Sequence, residues 1–190
     1  MKNVLFFGDS LTAGYGLLKP GLESFPAQIG QKIRAAGLNY NIINAGLSGD
    51  TSGGGLARID YWIQQPIHVF VLELGINDIM RGISPQTTMK NLQMIIERVK
   101  LKHPAAKIAL MGMHIPAFIP TTFAVPFNAI YSRLAEIYRL AYVPFFLDGV
   151  AGKFQYNLPD HLHPNAEGYK IIAAKIWPAI KELLIDVATL

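Results

Sequence analysis

Short apolar runs alternate with stretches of helical periodicity along nearly the whole chain, and this alternation restricts its fold more than any other feature. Lys2 to Phe7 reads as a strand, and Glu23 to Ala36 as a helix with Phe25, Ile29 and Ile33 on one face, stopped by Gly37. Tyr40 to Asn44 is expected as a second strand and Leu56 to Gln65 as a helix. The unbroken apolar run Val69 to Leu74 suits a third strand in a sheet covered on both faces. Ser84 and Pro85 open a helix that runs to Lys102. Strands four and five are expected at Lys107 to Met113 and Pro144 to Leu147, separated by a helix at Phe127 to Leu140. A last helix is expected from Pro164 to Val187, bent at Pro178. Five strands alternating with helices make an open parallel sheet with right-handed crossovers and helices on both faces. The 190 residues supply one such domain, 1-190, and are short for two.

In sheets of this kind ligands bind outside the carboxyl ends of the strands. Gly8-Asp9-Ser10 follows strand one, Gly46-Leu47-Ser48-Gly49-Asp50 strand two, and Gly75-Ile76-Asn77-Asp78 strand three. A fourth polar cluster, Asp160-His161-Leu162-His163-Pro164, precedes the final helix, so all four segments can converge on one sheet edge.

Composition removes several alternatives. With no cysteine, disulfides, thiolate catalysis and cysteine-based zinc sites are excluded. The net charge of +4 comes from scattered residues such as Lys19, Arg58, Arg81 and Lys175, with no run that would track nucleic acid or anionic lipid. No apolar stretch approaches the ~20 residues of a membrane span, so stable membrane insertion is not expected. The apolar run before Gly8 is only four residues long, too short for a signal-peptide core. The chain as given reads as cytoplasmic, and as periplasmic or secreted if an export signal once preceded it.

Ser10, just after a buried strand, has an ordinary reading as a helix N-cap, and a chemical one as an exposed nucleophile with helix N–H groups nearby. A nucleophilic serine needs a base and a group that orients the base. The i, i+3 spacing of Asp160 and His163 lets the carboxylate reach the ring Nδ1–H and leaves Nε2 free to accept a proton, although Asp160 can equally cap the turn. His161 would point away from His163 in an extended segment, while His68, His103 and His114 lack a nearby carboxylate in sequence and read as structural or exposed. Acyl transfer also needs oxyanion donors, which the Gly49 N–H and the Asn77 side-chain amide are placed to supply. Each also has a plain turn reading. Asp9, Glu73 and Asp78 are explained by turn and loop hydrogen bonding, and Arg81 by exposure, unless it meets an anionic substrate group. The proline-rich segment Ile115 to Pro126 reads either as a rigid connector or as an apolar wall of the site.

Taken together, "GDSLTAGYG", "NAGLSGDTS", "ELGINDIMRG" and "DHLHP" resemble the four sequence blocks of the GDSL, or SGNH, family of serine hydrolases. The segments "RGISPQTTMKNLQMIIERVK" and "PFNAIYSRLAEIY" look like its bacterial multifunctional thioesterase, lysophospholipase and arylesterase branch. The resemblance implies a flavodoxin-like three-layer α/β/α sandwich. It implies Ser10 as nucleophile, His163 as general base and then acid, and Asp160 as the orienting carboxylate, with an oxyanion hole made of the Ser10 and Gly49 amides and the Asn77 side chain. The chain departs from that branch at Ile76, where a second glycine often precedes the asparagine.

The expected activity is therefore hydrolysis of small-molecule carboxylic esters, and of thioesters, through an acyl-Ser10 intermediate, with no cofactor and no metal. The acyl group is expected along Ile115 to Phe127. Three rivals remain at this point: a carbohydrate acetylesterase of the same fold, a metal-dependent phosphoesterase using Asp9, Asn77, Asp78, Asp160, His161 and His163, and a non-catalytic ligand-binding module. The motifs G-x-S-x-G, G-x-x-x-x-G-K-[ST] and G-x-G-x-x-G are absent, which weakens α/β-hydrolase, P-loop and dinucleotide readings.

Overall fold

A computed structural model of the protein describes residues 2–115 and 121–185. Val4, Leu5, Phe6 and Phe7 are fully buried in strand β1 (Lys2–Gly8), which no water-facing strand would tolerate. The strand lies between β2 (Tyr40–Gly46) and β3 (Val69–Glu73), and beyond β3 follow β4 (Lys107–Met111) and β5 (Ala141–Val143). All four pairings are parallel and the order is β2-β1-β3-β4-β5, the flavodoxin-like arrangement, whose switch point falls between β1 and β3. Gly8 stands in register with Gly46 on one side and Glu73 on the other, so three strands end level.

Eight helices are described: α1 (Ser10–Ala13), α2 (Pro20–Glu23), α3 (Phe25–Ala35), α4 (Ser52–Trp62), α5 (Ile76–Met80), α6 (Pro85–Lys102), α7 (Thr121–Tyr138) and α8 (Ala166–Leu184). Packing of α3 against α8, and of α4 and α7 against α6, gives a helical layer on each face of the sheet. The core lies between these layers and includes Phe25, Ile29 and Ile33 of α3 and Leu92, Ile95, Ile96 and Val99 of α6.

Several boundaries differ from the sequence expectation. The fifth strand is Ala141–Val143 rather than Pro144 to Leu147, because Pro144 has no N–H to donate to a ladder and the chain turns there. Phe146, expected in that strand, is buried edge-on against Phe25 instead, with ring centroids 4.9 Å apart. Strand four correspondingly stops at Met111 rather than Met113.

Helix α4 starts at Ser52, not Leu56, in spite of three consecutive glycines in its first turns. Thr51 caps it by accepting from the Gly54 N–H at 3.1 Å, and Ser52 is fixed by Asp78, so tertiary bonds override glycine's poor propensity. Helix α7 begins at Thr121 and carries Pro126 inside it, where the sequence suggested a start at Phe127. It ends at Tyr138 because Arg139 adopts a left-handed conformation (φ 51°) and the Leu140 N–H reaches back to Ala135 O at 2.9 Å, closing a Schellman turn. Helix α8 is capped by Asn165 rather than opened by Pro164, and the expected end at position 187 lies outside the described residues.

Candidate active site

The level ends of β1, β2 and β3 deliver three of the four polar segments to one edge, and the loop before α8 brings the fourth. At the end of β1, Asp9 and not Ser10 caps α1: its Oδ1 accepts from the Leu11 N–H at 2.9 Å. Ser10 is therefore the first helical residue, its hydroxyl is released from capping, and it lies 2.9 Å from His163 Nε2. Among the described residues no protein group accepts from the Ser10 N–H, as expected for a first-turn amide.

His163 is held by a compact loop. The Leu158 N–H donates to His163 O at 2.7 Å, and Asn157 forms a bridge with Pro164. Asp160 Oδ1 accepts from the Leu162 and His163 amides at 2.9 and 3.0 Å, while Oδ2 lies 2.7 Å from His163 Nδ1. One carboxylate thus performs both tasks left open by the sequence, closing the turn and orienting the ring. Partial burial pushes the Asp160 carboxyl up, but these amide bonds and the His163 ring outweigh it and hold the group down at about 2. With Oδ2 as acceptor, Nδ1 carries the ring proton and Nε2 is left to accept from the Ser10 hydroxyl. Tyr15 packs against the same ring at 4.7 Å between centroids. His161 does not turn away as the alternation suggested. It has a left-handed backbone (φ 60°) and lines the same cavity, and among the described residues its ring has no hydrogen bond to Ser10 or Asp160.

Asn77 lies in the first turn of α5, behind Gly75. The φ of 124° at Gly75 suits glycine alone, and any side-chain carbon there would stand only 2.3 Å from Tyr131 Oη. The Asn77 Nδ2 donates to Asp50 O at 2.9 Å and to Asp9 Oδ2 at 3.0 Å. Both Nδ2 hydrogens are thereby engaged, which sets Nδ2 rather than Oδ1 toward Asp9 and Asp50. Gly49 sits in the Leu47–Asp50 turn, closed by the Asp50 N–H to Leu47 O bond of 3.0 Å, with φ 79°. No protein acceptor meets its N–H among the described residues. Ser10, Gly49, Asn77 and His163 all line one cavity of about 710 Å³, and Asp160 stands directly behind His163.

The rest of that cavity is mainly apolar, lined by Leu11, Ile76, Met80, Met113, Ile115, Phe145, Leu147 and Leu162. Of the segment expected to hold an acyl group, Ile115 lines the cavity; positions 116–120 lie outside the described residues. Among the described residues no three His, Asp or Glu side chains gather as a metal-ligand set.

A buried polar layer under the site escaped the sequence reading. Glu73 is completely buried, its Oε2 accepting from Thr12 Oγ1 at 2.7 Å and from the Asp9 N–H at 3.3 Å, its Oε1 unpartnered. Burial, reinforced by the Asp9 charge, pushes the Glu73 carboxyl well above the usual carboxylate range. Burial likewise pushes Asp9 up to about 7, with Asp50 adding to the effect and the Leu11 amide opposing it. Arg58 binds Asp50 Oδ2 at 2.7 Å and donates to Ala45 O and Gly8 O at 2.8 and 2.9 Å, tying together the ends of β1 and β2. Asp78 joins three helices, accepting from the Ser52 amide and hydroxyl and from Thr88 Oγ1. Nothing in the local sequence distinguishes these from turn and surface residues. The one signal was the pairing of Glu73 and Arg58 with otherwise buried segments, which demands partners.

A parallel α/β/α sandwich with a Ser–His–Asp hydrogen-bond chain at its carboxyl edge defines a class of hydrolase-like proteins. Residues 6–171 match the GDSL-like Lipase/Acylhydrolase family. The chain is 32% identical over 184 residues to Esterase TesA of Pseudomonas aeruginosa, covering 96% of this chain and 90% of that protein. It is 35% identical to the Arylesterase of Vibrio mimicus over 90% of this chain and 84% of the relative. Thioesterase 1/protease 1/lysophospholipase L1 of Escherichia coli K12 is 36% identical over 90% of this chain and 79% of the relative. The crystal structure of TesA superposes with a TM-score of 0.90 at 32% identity, covering 96% of this chain and all (100%) of that one. The chain belongs to the GDSL-like lipase/acylhydrolase family and is a serine ester hydrolase. Among the described residues no helix is long and apolar enough to cross a membrane.

Proposed function

We propose that the enzyme cleaves carboxylic esters and thioesters of apolar acyl groups through an acyl-Ser10 intermediate. The observation that carries this reading is the unbroken hydrogen-bond chain from Ser10 Oγ through His163 to Asp160, 2.9 and 2.7 Å long at its two links. As Ser10 Oγ bonds to the substrate carbonyl carbon, its proton passes to His163 Nε2, and Asp160 stabilises the imidazolium that forms. The carbonyl oxygen becomes an oxyanion, received by the Ser10 and Gly49 N–H groups and by the Asn77 amide, which shares with it one of the two hydrogens held by Asp9 Oδ2 and Asp50 O. Collapse of the tetrahedral species expels the alcohol or thiol, which takes the proton from His163. Water then attacks the acyl-enzyme with His163 again as base, and the carboxylic acid leaves.

The apolar lining from Leu11 to Leu162 favours an acyl chain over a sugar, which sets the carbohydrate acetylesterase reading second. Relatives whose names include arylesterase, thioesterase and lysophospholipase share this acyl transfer to water and differ in the leaving group. A fluorophosphonate tests the reading: mass spectrometry should find a single adduct, on Ser10, and Ser10→Ala should take no label and lose hydrolysis of p-nitrophenyl esters. An adduct on any other residue would sink it.

A further inference from the structure

The three proposed oxyanion donors are not held equally. Ser10 is only 8% exposed and is part of α1. The Asn77 amide is pinned by Asp50 O and Asp9 Oδ2. Gly49, by contrast, lies in a turn whose neighbours Leu47 and Ser48 are exposed. Glycine crosses φ more easily than any other residue, so nothing intrinsic to Gly49 keeps its peptide groups oriented. Space around it is also open: a side-chain carbon there would meet nothing within 4 Å except Arg81 Nη2, at 3.4 Å.

Asp50, on its far side, is held by Leu47 O, Arg58 and Asn77, and the guanidinium is the side-chain tie on Gly49 itself. Arg81 Nη2 donates to Gly49 O at 2.7 Å, and Arg81 is the C-cap residue of α5, the helix that carries Asn77. Asn77 and Arg81 are four residues apart, hence on one helix face. They grip successive carbonyls of the turn, Asn77 that of Asp50 and Arg81 that of Gly49. We propose that Arg81 is a positioning residue, which fastens the Gly49 turn to α5 so that the Gly49 N–H and the Asn77 amide face the oxyanion as one rigid unit. This rests on the oxyanion-hole reading above. Preorganised donors stabilise developing charge because they need no reorganisation during reaction, so a loosened donor lowers transition-state binding and leaves ground-state binding intact.

The test compares wild type, Arg81→Ala, Arg81→Lys and Asn77→Ala with a neutral p-nitrophenyl ester and a neutral alkylboronic acid, which adds to the serine hydroxyl to form a tetrahedral anion. Arg81→Ala should lower kcat and boronate affinity by the same factor, about tenfold, a fraction of the loss for deleting a donor outright. KM and melting temperature should stay at the parent values, since Arg81 is exposed. Added guanidinium ion should restore part of both, and Arg81→Lys should fall between, having a point charge without the planar fork. If Arg81→Ala stays within about twofold of wild type while Asn77→Ala loses about a hundredfold, the role of Arg81 is overturned and the oxyanion hole stands. A raised KM at unchanged kcat also overturns it, since Arg81 would then contact substrate. If Asn77→Ala has no effect either, the oxyanion reading fails together with the inference.

Discussion

Asp160 accepts two backbone amides on one oxygen and the His163 ring on the other, so its loss has separable consequences. Asp160→Asn keeps most of the turn but places an amide against Nδ1, favouring the wrong ring tautomer. We expect kcat to fall by about 10³–10⁴ with little change in KM, measured on a p-nitrophenyl ester. The pH profile follows from the same residue. Asp160, held near 2, is ionised throughout the range in which the enzyme is assayed, so it contributes no limb to the profile. Asp9 beneath the site, raised to about 7 and bonded to Asn77, is the carboxyl placed to contribute one. His163→Ala should abolish hydrolysis of the same ester, and full activity in that variant would remove His163 from the role of base. Ser10 illustrates how one neighbour changes a residue's meaning. In the sequence it was a candidate N-cap, and the cap proved to be Asp9, which frees the hydroxyl for His163.

At the scale of elements, α5 is only five residues long and cannot be stable by itself. Its place is set by Asp78, fully buried between α4 and α6 and accepting from Ser52 and Thr88. Asp78→Ala would strand the Ser52 amide and hydroxyl in the interior, leave the Thr88 hydroxyl only its bond to Ser84 O, and release the helix that carries Asn77. We expect a loss of about 3 kcal/mol in urea unfolding, with activity reduced even where the protein remains folded. The same contacts explain why the start of α4 was misplaced. A run of Gly53, Gly54 and Gly55 has little helical preference, and the Thr51 cap together with the Asp78 carboxylate on α5 sets the start before it. The boundary of β5 was misread for a related reason: Pro144 to Leu147 is apolar enough for a strand, but its apolar side chains serve the core and the cavity rather than a ladder.

For the molecule as a whole, the two buried carboxyls beneath the site set a stability dependence on pH. Asp9 and Glu73 have folded-state values raised above their ordinary 3.8 and 4.5. Between the ordinary and raised values the folded state holds more protons than the unfolded one, so stability falls as pH rises through that window. For Asp9 the window runs from about 4 to about 7. Glu73→Gln keeps the shape and removes the ionisable group, and should match the parent most nearly at the acid end of the window. At pH 8 its melting temperature should exceed the parent's by about 3 °C or more; equal melting curves at both pH values would mean that Glu73 carries no such burden. At this scale too, the apolar cavity of about 710 Å³ predicts that kcat/KM rises from acetyl to longer acyl p-nitrophenyl esters before it levels off, and a preference for acetyl would exclude an acyl-chain site.

The sequence by itself determined the parallel α/β alternation, the side of the sheet on which the site lies, and the identity of Ser10, Gly49, Asn77, Asp160 and His163 as candidates. These were legible because strand and helix periodicity are local, and because Asp160 and His163 are close enough in sequence for their spacing to carry geometry. Tertiary structure alone decided the strand order, the cap at Asp9, the turning of His161 into the cavity, and the layer formed by Glu73, Arg58 and Asp78. The cap at Asp9 spans two residues and the His161 turn closes on Leu158 O, but the strand order and the buried layer depend on groups tens of residues apart, as when Arg58 on α4 meets the carbonyl of Gly8 at the end of β1. Such bonds form only when closing the sheet removes water from both partners, and no local pattern of residues records which partner each will find.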